Sequence, residues 1–273
     1  MTYSEAQVAR FWETQFAYLQ CELKQHVLFL KLARPEAKNA LSPTLVRELA
    51  FAMSYAHHQP EVWAMVLSAQ GNVWCAGADL KAMRGQEEAN DSGVPMPESP
   101  IVIGDLFVKV HKPIVARVHA PVYAGGHLLI AGCHFVLATE QATFSLPEVK
   151  RGLFPFQVMD MLLKILPVRV VLDWCIRGGS ISATQAQTWG LVSELCPEAA
   201  LDARLESLLV EIKQNSPAAI RLGLKAFEEM RSIPEAQKQA FLKQMLDQTI
   251  QTQDAQEGLK AFAEKRPPVW QGL

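Results

Sequence analysis

The chain has 273 residues, enough for a large core in one or two domains, and its 49% apolar and 20% charged residues are globular values that exclude a disordered chain. A formal net charge of −2 provides no general attraction to nucleic acid. No apolar run approaches the roughly 20 residues of a membrane span, and the start lacks a charged-then-apolar signal pattern.

Residues 1–19 carry aromatic and apolar side chains at mixed spacing and read as a short extra helix. Residues 26–32 form an apolar run typical of a strand, and residues 45–58 have the spacing of an amphipathic helix. A buried strand is predicted over 62–68, followed by the small-residue loop Trp74-Cys75-Ala76-Gly77-Ala78-Asp79-Leu80-Lys81. Residues 84–100 then break the pattern with Gly85, Gly93, Pro95, Pro97 and Pro100 among Glu87, Glu88, Asn90, Asp91 and Ser92. Such a segment reads as a mobile loop, and its position directly after the small-residue loop suits a flap over a pocket.

A second buried strand over 114–118 runs into another small-residue loop, Val122-Tyr123-Ala124-Gly125-Gly126, and Phe135-Val136-Leu137-Ala138 continues the alternation. Repeated strand–helix order implies an α/β fold, a sheet covered by helices. After Pro197 the sequence turns helical, with no convincing strand over 201–263. That change of class divides the chain into a core, 1–200, and a C-terminal helical segment, 201–273.

The two small-residue loops both follow a strand and are expected to open helices. Small residues let a ligand approach the backbone, and the first N–H groups of a helix lack internal partners. Two such groups converging on one point make an oxyanion hole, able to hold the oxygen of an enolate. Glu148, after Leu146-Pro147 and among Phe144, Leu146, Leu153 and Phe154, is expected to be partly desolvated. Desolvation raises a carboxyl pKa and makes a better proton carrier. Phe156, Gln157 and Met159 follow closely enough to line the same pocket.

The five cysteines, Cys21, Cys75, Cys133, Cys175 and Cys196, form no C-x-x-C pair and argue for reduced thiols in a cytoplasmic protein. The seven histidines are scattered and no metal constellation is apparent. Neither a phosphate-binding Walker loop nor a dinucleotide GxGxxG occurs, so no nucleotide hydrolysis and no nicotinamide chemistry is expected.

The runs Arg34-Pro35-Glu36-Ala37-Lys38-Asn39-Ala40-Leu41-Ser42, Cys75-Ala76-Gly77-Ala78-Asp79-Leu80-Lys81, Lys112-Pro113-Ile114-Val115-Ala116, Phe144-Ser145-Leu146-Pro147-Glu148-Val149, Trp189-Gly190-Leu191-Val192 and 257–267 complete the pattern. In order and spacing, from about Gln25 to the C-terminus, they resemble the crotonase superfamily, also called the enoyl-CoA hydratase/isomerase family. The resemblance implies a right-handed spiral of β-β-α units followed by a helical trimerisation segment, and a homotrimer or homohexamer. The substrate would be a coenzyme A thioester, with no permanently bound cofactor.

By the same resemblance the thioester oxygen binds Ala78 N–H and Gly125 N–H, with Ala76 and Gly126 beside them, and Glu148 moves the proton. Ala37, Lys38 and Ala40 match the segment receiving coenzyme A, Lys81 would lie near its phosphates, and Phe262 and Lys265 would reach a neighbouring subunit's nucleotide pocket. One departure bears on the reaction: hydratases carry a second glutamate three residues after the central glycine, where this chain has Leu128. His127 is adjacent, but neighbouring helical residues point about 100° apart, so it reads as a structural or supporting residue. Ala124 also replaces the first of the family's usual three glycines. Enoyl-CoA isomerisation or hydration leads; a decarboxylase or thioesterase of the same fold, or a catalytically weak acyl-CoA- or RNA-binding member, stands as the alternative.

Overall fold

A computed structural model describes residues 1–86 and 89–273. Its strands, in chain order, are β1 (Leu19–Lys24), β2 (Val27–Leu32), β3 (Ala64–Ala69), β4 (Ile114–Val118), β5 (Val122–Tyr123), β6 (Phe135–Thr139), β7 (Thr143–Ser145), β8 (Ser180–Ser182) and β9 (Glu194–Cys196). The larger sheet has the order β1-β2-β3-β4-β6-β9 and is parallel from β2 onward. The smaller sheet has the order β5-β7-β8. Strand β3 is buried at every position, which is why its sequence is a continuous apolar run rather than an alternation.

From β4 to β7 consecutive strands alternate between the two sheets, so the chain advances there as a spiral. Strand β4 leads to β5 and the helix Gly126–Ala131; β6 leads to β7 and, after a 3-10 turn, to the helix Phe156–Leu163. The two earlier turns of the spiral carry single bridges in place of the second strand, Leu41 with Ala78 and Cys75 with Val122. These bridges stack residues 38–41, 75–79 and 122–125 as neighbouring layers.

The helix Pro43–His58 is capped by the Ser42 hydroxyl, which accepts from Leu45 N–H at 3.2 Å, and starts with proline at its first position. Its buried Glu48 turns inward and accepts from Ala17 N–H at 2.6 Å and Tyr18 N–H at 2.9 Å. The N-terminus packs on the same helix through the stacked rings of Phe11 and Tyr55, 4.1 Å apart. The short helix expected there is Glu5–Val8, but β1 begins within the predicted span. The strand predicted from His26 starts one residue later. Gln25 and His26 both adopt left-handed conformations (φ 47° and 69°), forming the two-residue turn between β1 and β2.

From Leu201 the described chain is helical, in Leu201–Lys213, Pro217–Glu229, Glu235–Ile250 and Gln253–Glu264. The first of these is rooted in the core: Leu201, Leu205, Leu208 and Leu209 cover Val66, Val115 and Leu137 of the larger sheet. Buried Asp254 ties the last helix to the start of Pro217–Glu229 and to the C-terminal tail, accepting from Ser216 Oγ and from the N–H groups of Ala218, Gln271 and Gly272 at 2.8–3.2 Å. Among the described residues no helix is long and apolar enough to cross a membrane.

Candidate active site

The loop after β3 is threaded between its neighbours by its backbone. Ala76 N–H donates to Lys38 O (3.0 Å), Leu41 N–H to Gly77 O (2.8 Å), and Tyr123 N–H to Cys75 O (2.9 Å). Gly77 needs φ 87°, a conformation L side chains rarely adopt. The loop runs into a 3-10 turn, Ala82–Arg84, and not into the α-helix expected, because Asp79 Oδ1 takes the N–H groups of Lys81 (2.9 Å) and Ala82 (3.2 Å) and winds the chain tightly. The second loop does open a helix, Gly126–Ala131. Ala124 stands where a glycine would be easier, at φ 49°, held by its N–H bond to Ser145 O at 2.8 Å.

The two loops meet at their centres. A Cβ placed on Gly125 would lie 3.4 Å from Ala78 N, and one on Gly77 would lie 2.8 Å from Gly125 N. Ala78 is exposed, and among the described residues neither Ala78 N–H nor Gly125 N–H donates a hydrogen bond. The two flanking residues differ: Ala76 has committed its N–H to Lys38, and Gly126 is buried, with room for no Cβ beyond 3.0 Å from the Cys75 side chain. Gly126 is thus tightly packed against Cys75 and Val122.

Buried charge fixes the loops from behind. Arg34 Nη1 donates to Asp79 Oδ2 at 2.5 Å, both residues buried, and the guanidinium lies 4.7 Å from the centre of the Tyr18 ring. Burial works to raise the Asp79 pKa, but Arg34 and the two N–H groups overcome it and hold the carboxyl below its ordinary value. Asn39 completes the frame: its Oδ1 accepts from Arg34 N–H (2.9 Å) and its Nδ2 donates to Gln70 O and Val73 O. Arg34, Asn39 and Asp79 were quoted above only as parts of motifs. Arg34 and Asp79 are 45 positions apart, and no local pattern in the sequence joins them.

Glu148 starts the 3-10 turn Glu148–Arg151, three residues beyond Ser145, whose carbonyl holds Ala124. It is half-buried, its Oε2 is enclosed without a hydrogen-bond partner among the described residues, and burial raises its pKa against its own backbone N–H and the Arg151 charge. Phe144 and Leu146 are buried beside this turn, whereas Leu153 is 50% exposed and encloses nothing. His127 is fully buried with Nδ1 2.8 Å from Ala124 O and its ring edge-on to Trp174 at 5.0 Å. Burial lowers its pKa to about 4, so the ring is neutral at neutral pH, and its contact with Ala124 O supports the loop.

Three cavities lie around the loops, and Ala78, Gly125 and Glu148 are not among the lining residues of any of them. The first, about 420 Å³, adjoins the loop centres through Leu41 and Asp79 and is walled by Val46, Met83, Ile101 and Ile103. Met96 and Pro97, of the segment 84–100, also line it. The segment expected to be mobile is in fact tethered to the N-terminus, by Gly93 N–H to Gln15 O (2.9 Å) and Tyr3 Oη to Pro95 O (2.8 Å). Glu87 and Glu88 of that segment lie outside the described residues. The second cavity, about 320 Å³, takes Leu128, Phe156 and Met161, and Gln157 borders both. Met159 packs on the core and lines neither. The third, about 260 Å³, is lined by Arg34, Glu36, Ala37, Ala40, Asp79 and Lys81. Lys38 is exposed beside it at φ 55°, whereas Phe262 and Lys265 are not among its lining residues in this chain.

This architecture has counterparts. Residues 22–273 match the family model described as enoyl-CoA hydratase/isomerase. The chain is 32% identical over 250 residues to mevalonyl-coenzyme A hydratase of Aspergillus fumigatus, covering 90% of this chain and 91% of that one. It is 30% identical to an enoyl-CoA hydratase of Mycobacterium tuberculosis over 92% of this chain and 95% of that one. The crystal structure of an enoyl-CoA hydratase from Mycobacterium smegmatis superposes with a TM-score of 0.81 at 28% identity, over 93% of this chain and 98% of that one. The chain thus belongs to the enoyl-CoA hydratase/isomerase family, and its fold is the crotonase fold.

Proposed function

We propose that this enzyme binds an enoyl-CoA thioester with its carbonyl oxygen between Ala78 N–H and Gly125 N–H, forms the enolate there, and moves the proton with Glu148. The observation that carries the reading is the pair of unbonded N–H groups at converging loop centres, Ala78 N lying 3.4 Å from where a Gly125 Cβ would stand. Each such donor is worth about 3–4 kcal/mol to a developing oxyanion. In isomerisation the Glu148 carboxylate removes a proton from one carbon, the double bond shifts through the enolate, and the same carboxyl returns the proton to another carbon. One carboxylate suffices for that cycle. Leu128 can neither orient nor deprotonate water, so isomerisation is the chemistry the site favours over two-glutamate hydration.

In this reading the acyl chain enters the 420 Å³ cavity, and the coenzyme A moiety lies along Ala37, Lys38 and Ala40, with Lys81 toward its phosphates. The direct test is proton exchange in D₂O with a saturated acyl-CoA, which can form an enolate but cannot complete isomerisation. Deuterium should appear at the α-carbon in the presence of enzyme; a spectrum without it would remove the enolate mechanism.

Residues 201–273 would act as the oligomerisation segment, seated on the 1–200 core through the helix Leu201–Lys213. Phe262, 86% exposed at the end of the last helix, and neighbouring Leu259 leave an apolar face on the single chain that supports a trimer or hexamer. Lys265 and Phe262 would then complete a neighbour's coenzyme A pocket. Light scattering should give three or six times the 30.3 kDa chain, and Lys265→Ala should weaken coenzyme A binding. A clean monomer, or an unchanged affinity in that variant, would contradict the shared pocket. The five free cysteines support a reducing, cytoplasmic setting.

A further inference from the structure

We propose that Arg47 reads a carboxylate at the far end of the acyl group, so that the preferred substrates are coenzyme A monothioesters of dicarboxylic acids. The inference rests on the acyl chain's occupying the 420 Å³ cavity, as proposed above. That cavity is walled almost entirely by apolar side chains, and Arg47 is the one cation lining it among the described residues. A purely hydrocarbon acyl chain needs no such group, and Arg47 is half-buried with its Nε enclosed, a donor that a bound anion could satisfy.

Nothing in the described chain does so. The Arg47 Nε is enclosed without a hydrogen-bond partner, and its Nη1 reaches only the Met96 thioether, a weak acceptor, at 2.9 Å. The two acids at hand are engaged elsewhere. Glu48, next in sequence, is held by Ala17 and Tyr18, and Asp79, which lines the same cavity, is held by Arg34, Lys81 and Ala82. The Met96 contact comes from the segment 84–100, so an incoming carboxylate would replace a thioether with an acceptor that matches the planar guanidinium fork.

Calorimetric titration of the full chain tests this with succinyl-, glutaryl- and adipyl-CoA, each against the methyl-ended thioester of equal chain length. At least one carboxylated member should bind about tenfold or more tightly than its neutral counterpart, the scale of a charge-assisted bidentate pair. Arg47→Met should erase that gap, and Arg47→Lys, which keeps the charge without the fork, should retain part of it. Equal affinities within all three pairs in the wild type would overturn the proposal, whether or not either variant folds. A preference that survives Arg47→Met would overturn it too. Binding of these saturated thioesters requires no turnover, so a failure of α-proton exchange would sink the enolate mechanism and leave this measurement decisive on its own.

Discussion

Replacing Glu148 with glutamine is expected to cut turnover of an enoyl-CoA by about 10²–10⁴-fold, the usual contribution of a positioned acid–base group, with coenzyme A affinity changed by only a few-fold. The amide keeps the size of the side chain and its place at the head of the 3-10 turn Glu148–Arg151, but it cannot accept a proton. Stability should move the other way. Burial raises the Glu148 pKa, so the folded state favours the protonated form, and above that pKa the ionised carboxylate costs the fold free energy. A neutral glutamine avoids that cost, and thermal melting at neutral pH should show an unchanged or higher midpoint. Full turnover in this variant would remove Glu148 from the mechanism; a large loss of both turnover and stability would mark it as structural instead.

The same shift sets a pH dependence. In the proposed reaction the base is the carboxylate, so kcat/KM should fall as pH drops through the Glu148 pKa, and at a higher pH than for a solvated glutamate. His127 contributes no limb of its own near neutrality, because its buried ring protonates only at about 4.

How much of this was visible in the sequence varied with length and burial. Strands β2, β3, β4 and β6 lie inside the larger sheet and are mostly buried, and such strands read as largely apolar runs. The edge strand β1, Leu19-Gln20-Cys21-Glu22-Leu23-Lys24, alternates with charged residues, and it follows an aromatic stretch that masked it. Its turn, Gln25-His26, has no glycine to announce it. Strands β5, β7, β8 and β9 are two or three residues long, too short for any periodicity to register. The loop centres were legible because close backbone approach demands small residues. The Arg34–Asp79 pair was not, since its members are 45 positions apart and nothing local joins them. Arg47 lies on an amphipathic helix, and nothing local in the sequence marks it as lining a cavity.

Gly77→Ala probes the proposed oxyanion pair without touching a titratable group. A Cβ at this position would stand 2.6 Å from the Ala124 Cβ and 2.8 Å from Gly125 N, nearer than real Cβ atoms come. One loop must therefore retreat from the other, and the neighbouring Ala78 N–H and Gly125 N–H lose their common focus. A single donor lost from such a site costs about 10²–10³-fold in kcat, so turnover should fall by that order. Gly77 also has φ 87°, and an alanine held in a left-handed conformation costs roughly 1–2 kcal/mol of stability by itself. Gly190→Ala separates the two effects. Gly190 has φ 93° at the end of the helix Ala183–Trp189, with nothing within 4 Å of a built Cβ, so it carries the conformational strain but no clash. Both variants should melt earlier, and only Gly77→Ala should lose turnover by two orders of magnitude at a temperature where each is folded. Comparable kcat values in the two proteins would mean that the spacing of these loops does not govern the reaction.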